Sequence, residues 1–490
     1  MAKYFIGIDL GTSSVRAGIF RDDSILVSIA SGGYPINSPS PEISEQDPEI
    51  WWKRTCESIK EALEKSNLKG SDISGISFSG QMHGAVLLNS AGDPAAPAII
   101  WADSRSSGVL DEISGIIGKD IITKTIMNRI FPGTQLSTLF WLKKYDKAKW
   151  NKIRHVLLPK DYIRFRMCGF YNTEPSDASA SLLFDLDKRE WAKDVLKKLG
   201  IFEEFLPYVV NSDQNISETE GIEEETGLPD GIPLVMGGAD QAAAALGNGI
   251  LDDGDMFAAI GTGGQIVAPV KTPLVSPDLC LNTFCHLPET RWYIEGATLS
   301  GGLCLRWFRD NFCPEVSFET LSEEAAGVIP NPDDPVFIPY LNGKRSPDMN
   351  PSAYGVFSGM RYLHNRGHIV RAIMEGVVFE LRESFEVMLK MGLKPNRLIA
   401  SGGFTRSPVW MKIMADCFKI PLNISAVKEQ SCFGAALTAG IGVKEYESYW
   451  KAAELVPKPE KTIEPESGNI EIYEEKYRKY LKIYNKHKES

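Results

Sequence analysis

The chain has 490 residues, and a typical size of about 150 residues per domain predicts two to four domains. Apolar residues make up 43% and charged residues 24%, which is ordinary globular usage and excludes a disordered or fibrous chain. The formal net charge is −11, because 64 Asp and Glu outnumber 53 Lys and Arg. Nucleic-acid affinity depends on clustered Lys and Arg, so we expect no nucleic-acid partner. A small anion held by a few local groups remains compatible with this charge.

Cysteine usage and the first residues predict the compartment. The 8 cysteines are scattered without a framework of short spacings, as is typical of a reducing compartment. Cys280, Cys285 and His286 form the tightest group, but they lack a second close pair, so buried apolar cysteines are favoured over a metal site. Asp9 interrupts the first apolar run, which argues against a signal peptide, and no stretch of 18 apolar residues occurs. We expect a cytoplasmic protein without a membrane partner.

Hydrophobic alternation opens the chain with strands. Residues 4–8 and 15–20 form a predicted hairpin around a Gly/Thr/Ser turn, and a third strand is predicted at 25–30. Apolar residues at helical spacing predict a helix over 48–65, and 73–78 is a further buried strand. Strands and helices that alternate in this way indicate an α/β fold.

A similar order of elements recurs near residue 232. A strand at 232–236 precedes a Gly-rich turn and an alanine-rich helix, which is predicted to start at Gln241. Two more strands, 256–260 and 265–269, again enclose a Gly-Thr turn. We interpret this recurrence as an internal duplication, in which one such hairpin opens each of two α/β lobes.

The duplication sets the predicted domain boundaries. The N-terminal lobe is expected to cover 1–247 and the C-terminal lobe 248–446, followed by a tail at 447–490. The closing segment is rich in Tyr and Lys at helical spacing. It predicts a terminal helix over 470–488 that packs on one lobe.

The first hairpin turn carries a candidate phosphate site. Gly11 lets backbone N–H groups approach an anion closely, and the Thr12 hydroxyl adds a donor. The Asp9 carboxylate is suited to hold Mg²⁺ through water, and Arg16 on the returning strand is placed to reach the same phosphates. The alternative is an Asx turn that only closes the hairpin.

The second hairpin turn strengthens the phosphate interpretation. Gly261, Thr262 and Gly263, followed by another glycine, provide the material for a second anion nest. Two such hairpins in facing lobes would clamp a polyphosphate from both sides. A Gly-Thr-x-Gly turn is common by itself, so the matched pair is the signal.

A third glycine turn, at Gly402 and Gly403, lies between a predicted strand at 397–400 and a predicted helix at 408–418. The exposed backbone of this turn is suited to lie against an adenine or a ribose. The alternative is a plain strand-to-helix turn in which Ser407 is the N-cap.

Candidates for a second substrate follow the carboxyl ends of strands, where ligands bind in open α/β sheets. Asp240 is placed there to accept a hydroxyl proton, and the alternative is an N-cap carboxylate that satisfies helix amides. Met82 and His83 lie between two glycines, and the alternative for this histidine is a satisfied structural side chain. Trp101 and Asp103 follow another short strand.

The order of these motifs resembles a known enzyme family. The segments that carry the resemblance are FIGIDLGTSSVRAGIF, SEQDPEIWW, SGQMHGAVLL, IIWADSR, LLPKDYIRFRM, SDASASLLFDL, GGADQ, TFCHLPE, PYLNGKRSP and SGGFTRSPVW. They are similar to the FGGY carbohydrate kinases, in family order and over roughly residues 4–443. The stretch from Gly355 to Glu375 also fits the C-terminal signature of that family, although its apolar face is equally typical of a core helix.

The resemblance implies two actin-like, ribonuclease H-like lobes of α/β class with ATP and Mg²⁺ in the cleft between them. Carried over by motif position, the nucleotide side comprises Gly11, Thr12, Arg16, Gly261, Thr262, Gly263, Gly402, Gly403 and Ser407. The sugar side comprises Met82, His83, Trp101, Asp103, Asp240 and Gln241. Asp240 would be the catalytic base, and Asp9 together with Asp240 would hold the metal.

The Gln-Met-His-Gly string at 81–84 points to xylulose among the sugars of the family. The expected reaction is therefore ATP-dependent phosphorylation of D-xylulose to D-xylulose 5-phosphate in pentose catabolism. Gln241 and Thr138 depart from the usual family pattern, in which Asn and Lys are commoner there. Another ketose, a sugar acid or a polyol stays open as the substrate, and a homodimer stays open as the oligomeric state. Two other classes of protein also stay open: an ATP-dependent chaperone or filament protein, and a sugar-binding pseudokinase.

Overall fold

The structure is a computed structural model that describes residues 2–488. The strands, numbered in chain order, are β1 Tyr4–Leu10, β2 Ser14–Arg21, β3 Leu26–Gly33, β4 Glu45–Gln46, β5 Ile73–Gly80, β6 Val86–Leu88, β7 Ala98–Ile99, β8 His155–Leu157, β9 Asn172–Thr173, β10 Phe184–Asp185, β11 Glu190–Trp191, β12 Tyr208–Val209, β13 Asn215–Glu218, β14 Pro233–Ala239, β15 Asp255–Ile260, β16 Gly264–Val270, β17 Asn282–Cys285, β18 Trp292–Thr298, β19 Val336–Ile338, β20 Val356–Ser358, β21 Arg397–Ser401, β22 Leu422–Ile424 and β23 Lys461–Ile463.

The helices surround the sheets formed by these strands. In chain order they are α1 Pro48–Ser66, α2 Leu110–Ile117, α3 Lys119–Ile121, α4 Gln135–Tyr145, α5 Lys147–Trp150, α6 Pro159–Cys168, α7 Pro175–Ala180, α8 Lys193–Leu199, α9 Glu223–Thr226, α10 Asp240–Gly247, α11 Gly302–Phe312, α12 Phe318–Ala326, α13 Arg366–Lys390, α14 Pro408–Phe418, α15 Gln430–Gly442, α16 Tyr449–Ala453 and α17 Ser467–Lys488. Within residues 2–488, none of these helices combines the length and the apolar character that a membrane crossing needs.

Two mixed sheets share one topology. The first has the strand order β13-β14-β5-β1-β2-β3 and the second β17-β18-β16-β15-β21-β22-β23. In each sheet the opening hairpin and its third strand are antiparallel, and two later strands run parallel to the first. The predicted internal duplication is therefore confirmed, as are the α/β class and the two lobes.

Several predicted element ends differ from the structure by one to three residues, and two of them concern site residues. β1 does not stop at Ile8, because its pairing with β2 continues through Asp9 to Leu10. Helix α10 begins at Asp240 rather than at Gln241, and Ala239 occupies the N-cap position without a side-chain hydrogen bond. Asp240 is thus the first helical residue. The alternative interpretation, in which Asp240 is the N-cap, is incorrect.

Helix α15 lies far along the sequence but packs on the first sheet, against β1 and β5, and on α10. The approach is so close that a Cβ atom on Gly7 would lie 1.9 Å from the carbonyl oxygen of Cys432. A Cβ atom on Gly434 would lie 1.9 Å from the carbonyl oxygen of Ala243. Larger residues at these two glycines would therefore push the helix away from both elements.

The predicted terminal helix is present as α17 and packs on the second lobe. Its Tyr473 hydroxyl accepts a hydrogen bond from Arg371 Nη2 at 2.6 Å, and Lys476 forms a buried ion pair with Glu375. Both partners belong to α13, the long central helix of that lobe. Helix α17 is therefore an integral part of the second hydrophobic core.

A buried charge cluster supports the junction between β14 and α10. Lys160 Nζ lies 2.7 Å from Asp161 Oδ1, 3.5 Å from Glu174 Oε1 and 3.4 Å from Asp177 Oδ2, and all four side chains are fully buried. Burial lowers the pKa of Lys160, but attraction to the three carboxylates outweighs burial and raises that pKa above its usual value. Lys160 is therefore held as an ammonium ion.

The cluster reaches the start of α10 through one hydroxyl group. Ser176 Oγ donates to Glu174 Oε1 at 2.9 Å and accepts a hydrogen bond from the backbone N–H of Ala239 at 2.9 Å. Glu174 Oε2 accepts a further hydrogen bond from Ser212 Oγ at 2.8 Å. The position of Ala239, which precedes Asp240, thus depends on buried hydrogen bonds.

We expect Lys160→Met to lower the free energy of unfolding by about 3–5 kcal/mol, because it leaves buried carboxylates without their cation. Lys124→Met is the matched control, since Lys124 lies on the surface and its Nζ is 3.7 Å from Asp120. That control should change stability by less than about 0.5 kcal/mol. Chemical denaturation of both variants measures the difference, and equal effects would refute the role assigned to Lys160.

Candidate active site

The first hairpin places Asp9 in the centre of the first sheet. Its register partners are Arg16 on β2 and Ser79 on β5. Ser79 Oγ donates to Asp9 Oδ1 at 3.1 Å, and Arg16 Nη1 lies 3.5 Å from Asp9 Oδ2. Burial raises the pKa of Asp9, while Arg16 and the hydrogen bond from Ser79 offset part of that rise. Arg16 also pairs with Glu429 at 3.1 Å, so its guanidinium is shared between two carboxylates.

Three side chains from other elements hold the turn of the first hairpin. Tyr34 donates its hydroxyl hydrogen to the Gly11 carbonyl at 2.5 Å, and Gln46 Nε2 donates to the Thr12 carbonyl at 2.7 Å. Trp101 Nε1 donates to Thr12 Oγ1 at 2.9 Å. The carbonyl groups of the turn are thus engaged with the protein and the turn has a single conformation, as an anion nest requires.

The second hairpin turn is braced by a loop that sequence reasoning missed. The backbone N–H of Gly302 donates to the Gly261 carbonyl at 2.8 Å, and that of Leu303 donates to the Thr262 carbonyl at 3.1 Å. A Cβ atom on Gly301 would lie 2.4 Å from the Gly263 carbonyl oxygen, so only glycine fits there. A Cβ atom on Gly261 would meet nothing within 4 Å among the described residues, which leaves room for a ligand beside this turn.

Asp240 lies between the two hairpins. Its Oδ1 atom is buried and has no hydrogen-bond partner in the described part of the chain. Burial, followed by the negative charges of Asp9 and Glu295, raises the pKa of Asp240 well above its usual value. A buried carboxylate oxygen without a partner is costly, so this atom is the strongest indication of a ligand site.

Gln241, the residue after Asp240, contacts the second hairpin. Gln265, in β16, donates from Nε2 to Gln241 Oε1 at 2.5 Å. The amide oxygen of Gln241 is therefore occupied by the protein, and its amide nitrogen supplies the remaining donors. The contact brings the end of the second hairpin beside Asp240.

Met82 and His83 form an apolar wall on the other side. Tyr293 Oη lies 3.8 Å from Met82 Sδ, and the His83 ring stands edge-on to Phe131 with centroids 5.2 Å apart. His83 Nδ1 is 2.7 Å from the Ala180 carbonyl, which can only accept, so this nitrogen carries the hydrogen. Burial, followed by the positive charge of Arg345, lowers the pKa of His83 to about 3. His83 is thus neutral near pH 7, and its Nε2 atom is an acceptor.

The structure places three predicted site residues mainly in contact with the protein itself. Both Asp103 oxygens accept hydrogen bonds from Arg105 at 2.7 and 2.9 Å, and Oδ2 also accepts from the Ser44 N–H at 2.8 Å. The indole nitrogen of Trp101 is used by the first turn, while 37% of this residue is exposed. Ser407 caps α14 through the Trp410 N–H at 3.3 Å.

The third glycine turn packs against the end of β15. Gly402 has φ of 95°, a conformation that favours glycine, and a Cβ atom there would lie 2.6 Å from the Ile260 carbonyl oxygen. A Cβ atom on Gly403 would meet no described atom within 4 Å. In this turn, Gly402 is therefore required by the backbone conformation and close packing, and Gly403 lies beside open space.

Sequence reasoning also missed polar residues of the second lobe. Glu295 lies in the otherwise apolar strand β18 and is 5% exposed, and a single carboxylate in such a strand was the available signal. Gly301 and Gly302 follow that strand as a glycine pair, the same pattern that marked Gly402 and Gly403. Arg345 lies in a long loop, within the PYLNGKRSP segment that carries part of the family resemblance, but no site role was assigned to it.

The oxygen donors in this site suit Mg²⁺. Asp9 and Asp240 contribute carboxylates, and Asp240 Oδ1 has no protein partner in the described chain. Within residues 2–488, no group of three or more His, Cys, Asp or Glu side chains is arranged so that it could hold a metal ion. Mg²⁺ is usually held by one or two carboxylates, water and substrate phosphates, so this donor set fits that ion.

Two glycine hairpins on either side of a buried carboxylate, in two lobes whose sheets share one core strand order, are the arrangement expected of a phosphoryl-transfer enzyme. The sequence matches the N-terminal domain of the FGGY family of carbohydrate kinases over residues 4–247 and its C-terminal domain over residues 256–443. The chain belongs to this family and is a carbohydrate kinase. Its phosphoryl donor is ATP, used with Mg²⁺, as in other FGGY carbohydrate kinases.

Similar proteins cover nearly the whole chain. A xylulose kinase of Bacillus subtilis (strain 168) is 34% identical over 98% of this chain and 97% of its own length. The crystal structure of a xyloylose kinase from Brucella ovis has a TM-score of 0.91 at 30% identity, covering 98% of this chain and 99% of that one. A gluconokinase of Bacillus subtilis (strain 168) is 30% identical over 93% of this chain and 91% of its own length.

The group formed by Cys280, Cys285 and His286 is structural. All the cysteines are free, and Cys285 is fully buried. His286 Nδ1 accepts a hydrogen bond from the Leu287 N–H at 2.7 Å, and its Nε2 lies 3.2 Å from the Ile250 carbonyl. Both ring nitrogens are thus occupied, and burial lowers the pKa of His286 to about 4.

This histidine predicts a loss of stability in acid. The unfolded chain binds the His286 proton near pH 6.5, whereas the folded chain resists it down to about pH 4. Stability should therefore fall as the pH drops from 6.5 to 4, by at most about 3 kcal/mol at about 1.4 kcal/mol per pKa unit. In His286→Gln this part of the pH slope should disappear, whatever the loss at pH 7.5. Denaturation curves across this range measure the slope, and an unchanged slope would show that His286 does not contribute.

Proposed function

We propose that this carbohydrate kinase transfers the γ-phosphoryl group of ATP to the terminal hydroxyl of D-xylulose, giving D-xylulose 5-phosphate in cytoplasmic pentose catabolism. The observation that carries the proposal is the unpaired, buried Oδ1 atom of Asp240 between the two hairpins. The pocket beside it contains Met82 and His83, and relatives that match almost the full chain are named xylulose kinases.

Asp240 acts as the general base in this proposal. It orients the terminal hydroxyl of the sugar and accepts its proton as the new O–P bond forms and the bond from the γ-phosphorus to the leaving oxygen of ADP breaks. Its raised pKa favours proton acceptance over that of an ordinary aspartate. The Gln241 amide nitrogen and the neutral His83 ring bind sugar hydroxyl groups, with Met82 as the apolar floor.

The glycine turns hold the nucleotide. The N–H groups of Gly11 and Gly261 close these turns by donating to the Ser14 and Gly263 carbonyls at 3.0 and 2.9 Å. The backbone N–H groups of Thr12, Thr262 and Gly263 donate to the phosphate oxygens and stabilise the charge that moves toward ADP. Arg16 balances the Asp9 carboxylate beside them. When bound, Mg²⁺ neutralises phosphate charge, and Asp9 and Asp240 are the residues that would hold it, Asp9 through water.

The remaining predicted residues act by position. Gly402 and Gly403 border the adenosine, and Ser407 fixes the helix that follows this turn. Trp101 holds the Thr12 hydroxyl and closes the sugar side of the first turn. Asp103 keeps the Trp101 loop in place through its contacts to Arg105 and the Ser44 N–H.

We expect Asp240→Asn to lower kcat by about 10²-fold to 10⁴-fold, the usual value of general-base assistance, while the KM for the sugar changes little. The acid limb of the wild-type pH–rate profile should lie above the usual range of an aspartate, because activity requires the ionised carboxylate. Coupled ADP-release assays measure both effects. Asp253→Asn is the control, since Asp253 lies on the surface and pairs with Lys271 at 3.3 Å. Turnover of Asp240→Asn at the wild-type rate would refute the role of Asp240.

Gluconate is the second candidate substrate, because a gluconokinase is also similar over most of the chain and the positive charge of Arg345 acts on His83. ADP release should be compared for D-xylulose, D-ribulose, L-ribulose, gluconate and glycerol. We expect the highest kcat/KM with D-xylulose. A higher value with gluconate would replace the proposed substrate, and ATPase activity independent of any acceptor would contradict the kinase reaction.

A further inference from the structure

The loop between β19 and β20 carries two adjacent cationic residues whose side chains extend in opposite directions. Lys344 is buried, and its Nζ donates to Glu383 Oε2 of α13 at 2.6 Å. The backbone N–H groups of Lys344 and Asn350 donate to each other's carbonyl groups at 2.9 and 3.0 Å. These contacts fix the loop on the core of the second lobe, so the next residue, Arg345, is presented from a rigid support.

The same loop is fastened to the strand that carries Glu295. The N–H of Ser346 donates to the Ala297 carbonyl at 3.2 Å, at the end of β18. Glu295 and Tyr293 precede Ala297 on the same face of this strand, and Tyr293 reaches Met82 of the sugar pocket. Arg345 is therefore placed at the pocket that Met82 and His83 line.

The guanidinium of Arg345 has unused hydrogen-bonding capacity. Its carbon lies 5.3 Å from the centre of the Phe131 ring, and this ring also contacts His83. Within residues 2–488, Arg345 makes no hydrogen bond and no ion pair within 4.0 Å, and the same is true of Glu295. Within residues 2–488, Arg345, Glu295 and the Nε2 atom of His83 are thus three polar groups without a hydrogen-bond partner.

Charge interactions couple these groups to one another. Glu295 raises the pKa of Asp240, and the positive charge of Arg345 offsets part of the rise that burial causes in the pKa of Glu295 and adds to the lowering of the pKa of His83.

We propose that Arg345 is a specificity-determining residue that contacts the substrate, donating hydrogen bonds to sugar oxygen atoms other than the phosphorylated hydroxyl. A planar guanidinium with five N–H groups suits two adjacent oxygens, such as a ketose carbonyl and the neighbouring hydroxyl. The inference rests on the proposed sugar kinase function. It adds the residue that distinguishes a ketose from the matching polyol.

The test is Arg345→Gln, assayed with D-xylulose and with xylitol, the polyol that lacks the carbonyl group. We expect the KM for D-xylulose to rise about 10-fold to 100-fold, the loss of a charged hydrogen bond. The preference for D-xylulose over xylitol in kcat/KM should fall by a similar factor. The KM for ATP and the melting temperature should stay at wild-type values.

Arg129→Gln is the matched control. Arg129 lies at the rim of the same region, and its Nη2 donates to the Asp278 carbonyl at 3.2 Å. It should leave all four quantities unchanged. A purely structural role for Arg345 would instead lower the melting temperature and impair ATP and sugar equally, and that result would overturn the inference, as would an unchanged KM and preference.

The wild-type enzyme separates this inference from the proposed function. If the wild-type chain prefers another acceptor, the proposed substrate fails, and the variant is compared on that acceptor and its reduced or neutral analogue. Calorimetric titration with D-xylulose provides a second measurement that does not depend on turnover. If neither turnover nor binding distinguishes Arg345→Gln from the wild type, the inference is wrong.

Discussion

One buried carboxylate oxygen, Asp240 Oδ1, determines how the rest of this structure must be built. Burying this atom without a partner costs free energy, so other contacts must hold the first residue of α10 in place. The Ser176 hydroxyl holds the Ala239 N–H, and Glu174 holds that hydroxyl. Lys160 neutralises much of the negative charge of Asp161 and Glu174. A buried polar network thus holds the unpartnered Asp240 carboxylate in place.

The duplicated fold brings ligands to this carboxylate from two directions. Each lobe contributes one hairpin turn, and the topology of the two sheets makes the turns equivalent. Helix α15 follows β22 of the second sheet in the chain but packs on β1 of the first sheet, with contacts that only glycine permits at Gly7. The chain therefore returns to the first sheet after it has formed the second.

The features that the sequence predicted well are local. The hairpins around Gly11 and Gly261, α1 and α17 depend on turn residues and on periodic apolar side chains close in the chain. The errors concern the ends of single strands and helices. β1 extends to Leu10 because pairing with β2 continues, and α10 begins at Asp240 because Ala239 is held by Ser176. The β1–β2 pairing is short in range, whereas the Ala239–Ser176 contact joins residues 63 apart in the sequence.

The amino-acid sequence by itself determined the α/β class, the duplication, the turn glycines and the acidic residues near them, because backbone conformation and periodicity are written in neighbouring residues. Only the tertiary structure decided which polar atoms lack partners. Asp103 satisfies its carboxylate through Arg105, whereas Glu295 and Arg345 make no hydrogen bond or ion pair in the described chain. Hydrogen bonding and burial depend on distant segments meeting in space, and sequence spacing does not encode those meetings.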